Sequence, residues 1–439
     1  MRKKTKREIE SKEKIKEEES FPIKIGLEIH GYLDTQEKLF CKCKTSGEER
    51  LNSRVCPICT GQPGSKPMMP NREAVKKIIQ IASVLGCKIN HDKNLVWQRK
   101  HYSWPDLPKG YQNTISGAYS VPVAERGKFR GIKITEAHLE EDPAQWNPET
   151  GSVNYNRSGL PLVEIVTDPD FTDAEGVVEW LQALLHSLSY IKAVRKNAGI
   201  KADVNLSTYG DRVEMKNLNS LESIKKAIEY ETRRQLENYS KGIIQKQETL
   251  RFDEKKGITM KMREKESSED YRFIPDPDLP VIKLSEKEVK QIERELPEMP
   301  EIKLNKLLNK YKIDKKSAEI LAKHLELVVF FEELAKHVDA KKYIFWITVE
   351  LLRVLNWNKK TLEEVDIRPV HLAELIQAID KKQITELKAK QIMNEFFPKS
   401  FSVLKKVKTE AKISDEEVEK FCKQAIKENP KAAEDFKLG

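Results

Sequence analysis

Four of the six cysteines fall within residues 41–59, as two closely spaced pairs joined by a loop: Cys41 with Cys43, and Cys56 with Cys59. This arrangement can deliver four thiolates to one tetrahedral Zn²⁺. Four thiolates leave no open coordination position, so such a zinc is structural rather than catalytic. In a long chain that is otherwise poor in cysteine, the cluster favours a metal site in a reducing compartment over disulfides. The alternative is a set of four buried or redox-active thiols.

Carboxylates interrupt three segments that otherwise have the apolar pattern of half-buried strands. Glu28 and His30 share the polar face of an alternating strand, residues 138–142 read HLEED, and Glu164 interrupts an apolar run. A carboxylate in such a place is costly unless it is paired or binds a cation, and converging carboxylates suit Mg²⁺ or Mn²⁺. Such a cation leaves positions for phosphate oxygens, which indicates phosphoryl chemistry. For each residue alone, a salt-bridged structural carboxylate is the alternative.

Basic and aromatic residues mix in a proline-rich loop that contains Lys100, Tyr102 and Lys109, and again around Arg263 and Arg272. Segments of this kind can hold a nucleotide or the end of a tRNA. The sequence has neither a Walker A motif nor the glycine-rich loop of protein kinases. Composition alone therefore leaves ATP, RNA and an ordinary solvated surface open.

The elements that must position these residues form an irregular mixture of short strands and helices. We predict strands near 23–30, 131–139, 160–166 and 203–206, and helices near 72–85, 173–191 and 221–239. Because strands and helices do not alternate regularly, we expect an α+β fold with a mixed sheet rather than a doubly wound sheet.

Beyond residue 285, apolar residues recur at helical spacing, which indicates an all-α region. The first residues are a dense mixture of Lys, Arg and Glu without an apolar segment, so they are not a secretory signal. We predict four regions: a disordered charged arm at 1–20, an α+β cradle domain at 21–285 with an inserted zinc knuckle at 41–59, a helical domain at 286–400, and a partial helical tail at 401–439.

Composition narrows the class of protein only slightly. The chain has 439 residues, of which 38% are hydrophobic and 34% charged, with a formal net charge of +9. No apolar run approaches the ~18 residues of a membrane-spanning helix, so we expect no membrane partner and a cytoplasmic protein. The modest basic excess is compatible with RNA binding and does not by itself establish it.

The segments described above, with several others, resemble the GatB family. The sequence reads IGLEIH at 25–30, HLEED at 138–142, NRSGLPLVE at 156–164, DVN at 203–205 and KNLNS at 216–220. The spaced patterns at 99–112, 262–265 and 270–278 are similar to the family as well, and all follow its order. The resemblance is specific from about 25 to 280 and weaker in the helical region.

This resemblance implies that the cradle uses ATP to phosphorylate the side-chain carboxylate of Glu or Asp misacylated onto tRNA-Gln or tRNA-Asn. Ammonia then displaces the phosphate. It also implies a GatA-type amidase and a small GatC-type subunit as partners, with the helical and tail regions holding the tRNA. Carried over to this sequence, the magnesium-binding and catalytic set is Glu28, His30, Glu141 and Glu164. The cysteine cluster matches zinc-bearing members.

Two departures from related patterns bear on this interpretation. The related GatE-type subunit carries a large extra domain before the helices, whereas here helical sequence follows Pro280 directly, which favours GatB. The family's tail normally continues beyond the position where this chain ends at Gly439, so we expect an incomplete or shortened tail. No amidase signature is present, so glutamine hydrolysis must come from another chain.

Two functions from other classes remain open at this point. One is a zinc-containing RNA-binding module that performs no chemistry, and the other is a stand-alone ATP-dependent ligase acting on a small acid. Whether Glu-tRNA, Asp-tRNA or both are substrates is also left open by the sequence.

Overall fold

A computed structural model describes residues 23–102, 104–195, 201–263, 272–404, 419, 422–424 and 426–427. The charged arm expected at 1–20 and most of the tail expected at 401–439 lie outside these residues. The chain divides into two compact units, Met1–Pro297 and Glu298–Gly439. Within the described ranges, no helix has both the length and the apolar character needed to cross a membrane.

The first unit is built on one large sheet. Its strands are β1 Lys24–Tyr32, β2 Lys88–Ile89, β3 Gln98–His101, β4 Tyr111–Thr114, β5 Ala124–Phe129, β6 Ile132–Glu141, β7 Gln145–Trp146, β8 Val153–Asn154, β9 Pro161–Thr167, β10 Lys201–Ser207, β11 Val213–Leu218, β12 Glu248–Asp253, β13 Ile258–Arg263 and β14 Arg272–Pro275. Its helices are α1 Arg72–Val84, α2 Ala174–Tyr190, α3 Leu221–Ser240 and α4 Glu286–Arg294.

The main sheet has the strand order β13-β12-β11-β10-β1-β9-β6-β4-β3-β14, with β5 and then β2 attached beside β6. The β11–β12 pair is parallel and the β1–β10 and β1–β9 pairs are antiparallel, so the sheet is mixed. Strands β7 and β8 form a separate two-stranded sheet. These features confirm the predicted α+β class.

Strand β1 lies in the middle of the sheet and has two different faces. Ile25, Leu27 and Ile29 are at most 1% exposed, and they belong to the side that the helices cover. Glu28 and His30 alternate with them and therefore point to the opposite side, which we call the polar face. The alternation that predicted a half-buried strand thus also sets the direction of its polar side chains.

Polar caps fix where the covering helices begin. The Asn71 side chain accepts hydrogen bonds from the backbone of the first turn of α1, and Asp173 and Ser220 do the same for α2 and α3. These contacts satisfy backbone N–H groups that have no partner within the helix. In α2, the Trp180 indole also donates to the backbone carbonyl of Phe129 at 2.8 Å, which ties the helix to the sheet.

Helix α4 belongs to the first unit, although the helical domain was expected to begin at residue 286. Ser285 and Glu288 form a capping box at its start, and the helix packs on α1. Just beyond its end, Glu295 forms a 2.8 Å ion pair with Lys76 of α1. The boundary between the units therefore follows Pro297.

The second unit is helical, as predicted. Its elements are α5 Pro300–Asn309, α6 Lys315–Ala322, α7 Leu325–Leu334, a π-helical turn Trp346–Leu351, α8 Leu352–Trp357, a 3₁₀ turn Leu362–Glu364, α9 Pro369–Asp380 and α10 Glu386–Glu395. They enclose a core of their own in which Phe331, Ile347 and Phe396 are fully buried.

Candidate active site

Three adjacent strands place their polar residues side by side on the polar face. In the antiparallel register, His30 of β1 lies opposite Glu164 of β9, and Glu164 lies opposite His138 of β6. On the other side of β1, Glu28 lies opposite Asp203 of β10. Directly opposed residues of antiparallel strands share a face, so the sheet itself brings the predicted acidic segments together.

His30, Glu140 and Glu164 form a compact cluster in which one ligand atom from each lies within 4.8 Å of the others. The Nε2 of His30 is 3.2 Å from Glu164 Oε2, and His138 Nε2 is 3.3 Å from the same oxygen and 3.4 Å from Glu140 Oε1. One imidazole and two carboxylates that converge in this way can hold a hard divalent cation.

The electrostatics of this cluster follow from burial and proximity. Burial lowers the pKa of His30, but the Glu164 carboxylate outweighs it and raises that pKa to about 9. Burial likewise opposes protonation of His138, whereas Glu164, Glu136 and Glu140 raise its pKa well above the usual value. Burial acts to raise the pKa of Glu164, yet His138 and His30 hold it well below the ordinary range. The metal-free cluster thus stores protons that a cation would displace from a ligating imidazole.

A second acidic cluster lies beside the first and contains Glu28, Asp203 and Glu214. Lys216 neutralises part of its charge, with Nζ 2.9 Å from Glu214 and 3.5 Å from Asp203. The Asn205 amide donates to Glu28 at 3.0 Å. Burial, followed by Glu164 and Glu214, raises the pKa of Glu28. Glu28 is therefore an electrostatic neighbour of Glu164, but its geometric partners are the residues of β10 and β11.

Two buried oxygens on this face lack a hydrogen-bond partner in the described part of the chain, Asn205 Oδ1 and Thr114 Oγ1. Thr114 lies opposite Glu140 in the β4–β6 pair. Buried polar atoms are normally satisfied, so their presence on both sides of the carboxylates fits a face that receives a polar ligand.

Glu141 does not join the cluster that was expected to contain it. It forms an ion pair with Lys109 and accepts a hydrogen bond from the backbone N–H of Asn113 at 3.0 Å. Successive residues of a strand point to opposite faces, so Glu140 and Glu141 cannot both reach Glu164. The position of Glu140, two residues after His138, is the sequence signal that distinguishes the two.

The basic and aromatic residues divide between the two faces of the sheet. Lys100 lies opposite Gln112, whose amide donates to Glu140 at 3.0 Å, so Lys100 shares the polar face. Lys109 is held on the other side by Glu141, and Arg272 lies opposite His101 at the β3–β14 edge. Tyr102 follows β3 directly. Arg263 ends β13, and its side chain lies outside the described part.

Sequence reasoning missed a further cation on the polar face, Lys201 at the start of β10. It lies directly opposite His30, and burial together with the charge of Arg157 lowers its pKa. Its only sequence signal is its place two residues before Asp203, which puts both on the same face.

The four cysteines of the predicted knuckle converge, with their sulfurs within 4.8 Å of one another. Cys59 Sγ lies 3.9 Å from Cys56 Sγ and 4.0 Å from Cys43 Sγ. Tetrahedral zinc with Zn–S bonds near 2.3 Å requires sulfur separations of about 3.8 Å, so the cluster has the right size for a metal ion. The Cys41 thiol and, after it, Lys38 lower the pKa of Cys59 to about 5, against the effect of burial.

Comparison with known families agrees with this geometry. Residues 23–290 match the model of the GatB/GatE catalytic domain, and residues 329–439 match that of the GatB domain. The chain belongs to the GatB family. Its sheet, cysteine cluster and polar face are therefore features of a GatB-family protein, and the resemblance inferred from the motifs is confirmed.

Similar proteins from archaea are named as a subunit of the aspartyl/glutamyl-tRNA(Asn/Gln) amidotransferase. The protein of Methanococcus maripaludis strain C5 is 42% identical over 437 residues, covering 96% of this chain and 92% of its own length. That of Methanothermobacter thermautotrophicus is 42% identical over 95% of this chain and 93% of its own length. The Methanocaldococcus jannaschii protein is 42% identical, with 96% and 92% covered.

Proposed function

We propose that this GatB-family chain activates the side-chain carboxylate of Glu or Asp misacylated onto tRNA-Gln or tRNA-Asn, using ATP, so that ammonia can convert it to the amide. The observation that carries the proposal is the convergence of His30, Glu140 and Glu164 on the polar face. The names of the similar archaeal proteins support the choice of substrate.

In the first step, an oxygen of the aminoacyl carboxylate forms a bond to the γ-phosphorus of ATP, and the bond from that phosphorus to ADP breaks. In the second, ammonia attacks the activated carbonyl carbon, inorganic phosphate leaves, and Gln-tRNA or Asn-tRNA results. A bound Mg²⁺ supplies neutralising charge for the phosphate oxygens. His30, Glu140 and Glu164 would hold it, with Glu28 beside them.

His138 acts by positioning the carboxylates. Its Nε2 bridges Glu140 and Glu164, while its Nδ1 is 2.9 Å from Glu136. The imidazole is 4% exposed, so water competes little for these contacts. Holding ligands in place before substrate binds lowers the reorganisation that the reaction requires.

The remaining assignments complete the proposal. The cysteine cluster holds a structural Zn²⁺, because all four positions of a tetrahedral ion are filled by sulfur. A GatA-type amidase releases ammonia, a small GatC-type subunit accompanies it, and the second unit with the tail grips the tRNA. The protein works in the cytoplasm, where translation takes place.

The test is an amidation assay on the complex co-expressed with amidase and small subunits. We expect ATP cleavage that depends on Glu-tRNA-Gln, Asp-tRNA-Asn or both, with formation of the corresponding amide. Glu164→Gln should abolish cleavage while circular dichroism and thermal unfolding stay unchanged, because the amide keeps the shape and loses the charge. A complex that binds tRNA but cleaves no ATP would instead support an RNA-binding module.

A further inference from the structure

Lys201 occupies the position on the polar face closest in register to the metal-binding cluster. It lies opposite His30 in the β1–β10 pair, and His30 lies opposite Glu164 in the β1–β9 pair. One ammonium group thus borders the cluster on the side away from β9. Asp203, the next residue of β10 on the same face, contacts Lys216.

The other cations near this position are already neutralised. Lys216 contacts Glu214 and Asp203. Arg157 binds Asp142 through two bonds of 2.5 and 2.9 Å, and the Tyr32 hydroxyl donates to the same carboxylate at 2.8 Å. For the Lys201 ammonium, no hydrogen bond or ion pair is found in the described part of the chain. It is the cation that remains available beside His30.

A partly buried cation without an anion carries an uncompensated desolvation cost. Replacement of that solvation by a bound anion would be favourable, and a lysine ammonium is a compact point charge suited to phosphate oxygens. The carboxylates on the opposite side of His30 would attract the cation that accompanies a nucleotide. The anion and its metal would then lie between Lys201 and Glu164.

We propose that Lys201 binds the phosphoryl group during its transfer from ATP to the substrate carboxylate. This role rests on the proposed function, and Lys201 keeps its protons throughout. Charge builds up on the equatorial phosphoryl oxygens as the bond to ADP breaks, so the contact strengthens in the transition state. Loss of one such contact lowers turnover by about 100- to 1,000-fold in comparable sites.

The experiment compares Lys201→Met and Lys201→Arg with the wild-type complex, with Lys128→Met, an exposed lysine of β5, as the control. We expect Lys201→Met to lower kcat for ATP cleavage by about 100-fold or more, with the KM for ATP changed by less than about fivefold. The affinity for ADP with aluminium fluoride should fall by a similar factor, while ADP affinity and Mn²⁺ binding, measured by electron paramagnetic resonance, stay unchanged. Lys201→Arg should recover part of both losses.

Turnover of Lys201→Met within about threefold of wild type would overturn the assignment and leave the proposed function intact. Equal weakening of ADP and of ADP with aluminium fluoride would also overturn it, because it would indicate a ground-state or structural role. A wild-type complex without ATP cleavage would overturn the proposed function itself. If Lys201→Met does not fold, Lys201→Gln, which keeps a polar end without the charge, decides by the same criteria.

Discussion

The ammonium nitrogen of Lys38 lies 3.5 Å from the sulfur of Cys59 and 3.1 Å from the carbonyl oxygen of Tyr155. Lys38 is only 1% exposed, so this cation is part of the interior. The Ser158 hydroxyl makes a second link, donating to the Cys59 carbonyl at 2.7 Å. The cysteine cluster is thereby joined to the segment that leads into β9, the strand that carries Glu164.

Lys38→Met should weaken zinc binding, because the ammonium offsets the net negative charge of four thiolates around one Zn²⁺. Loss of a partner to a metal ligand typically costs about 10- to 100-fold in affinity. Competition with a chromophoric chelator measures it. Lys42→Met is the matched control, since Lys42 is a neighbouring surface lysine paired with Glu37. Equal zinc affinity in both variants would remove Lys38 from the site.

Cys56→Ser should release about one zinc ion per chain and lower the unfolding temperature of the first unit, because a tetrathiolate site contributes to folding. Elemental analysis and calorimetry measure the two effects. A wild-type protein prepared without chelators that contains no zinc would point to free thiols instead.

Glu140→Gln and Glu141→Gln should differ, although the two residues are adjacent. Glu140 belongs to the cluster with His30, so its replacement should weaken Mn²⁺ binding by at least about tenfold. Glu141 contacts Lys109, and its replacement should leave Mn²⁺ affinity nearly unchanged. Titration followed by electron paramagnetic resonance distinguishes them. The reverse order would restore the set of ligands inferred from the family motif.

A fragment ending at Pro297 should fold and keep its zinc, whereas one ending at residue 284 should be less stable. The shorter fragment lacks α4, which buries Val289, and the Lys76–Glu295 ion pair. Exposing the α1 surface on which α4 packs costs about 25 cal/mol per Å² of apolar area. Urea unfolding compares the two, and equal midpoints would show that α4 contributes nothing.

The fragment ending at Pro297 should also lose most of the affinity for tRNA and part of its salt dependence, if basic residues of the second unit meet phosphates. Only some lysines expected in this role are available. Lys303 contacts Glu332 and Glu298, and Lys306 contacts Glu298. Lys312 and Lys316 are exposed. Filter binding at two salt concentrations is the measurement, and an unchanged slope in the fragment would contradict the division of labour.

Periodicity was sufficient to predict the strands and helices that carry the site, because each has one apolar face. It could not decide between Glu140 and Glu141. That choice depends on the register of β6 against β9, a contact between distant parts of the chain. Lys201 was missed for the same reason, since its significance comes from lying opposite His30. The later unit boundary likewise reflects the packing of α4 on α1.

The central place of β1 has a consequence for synthesis on the ribosome. This strand emerges early, but its two neighbours, β9 and β10, are made only when residues 161–207 have been translated. Until then, Ile25, Leu27 and Ile29 have no sheet to join, and both edges of the strand lack hydrogen-bond partners. Such a segment is exposed to wrong pairing with other nascent chains, and chaperones that bind short apolar segments would protect it. Ribosome-bound chains truncated before and after β10 should therefore differ in their resistance to protease.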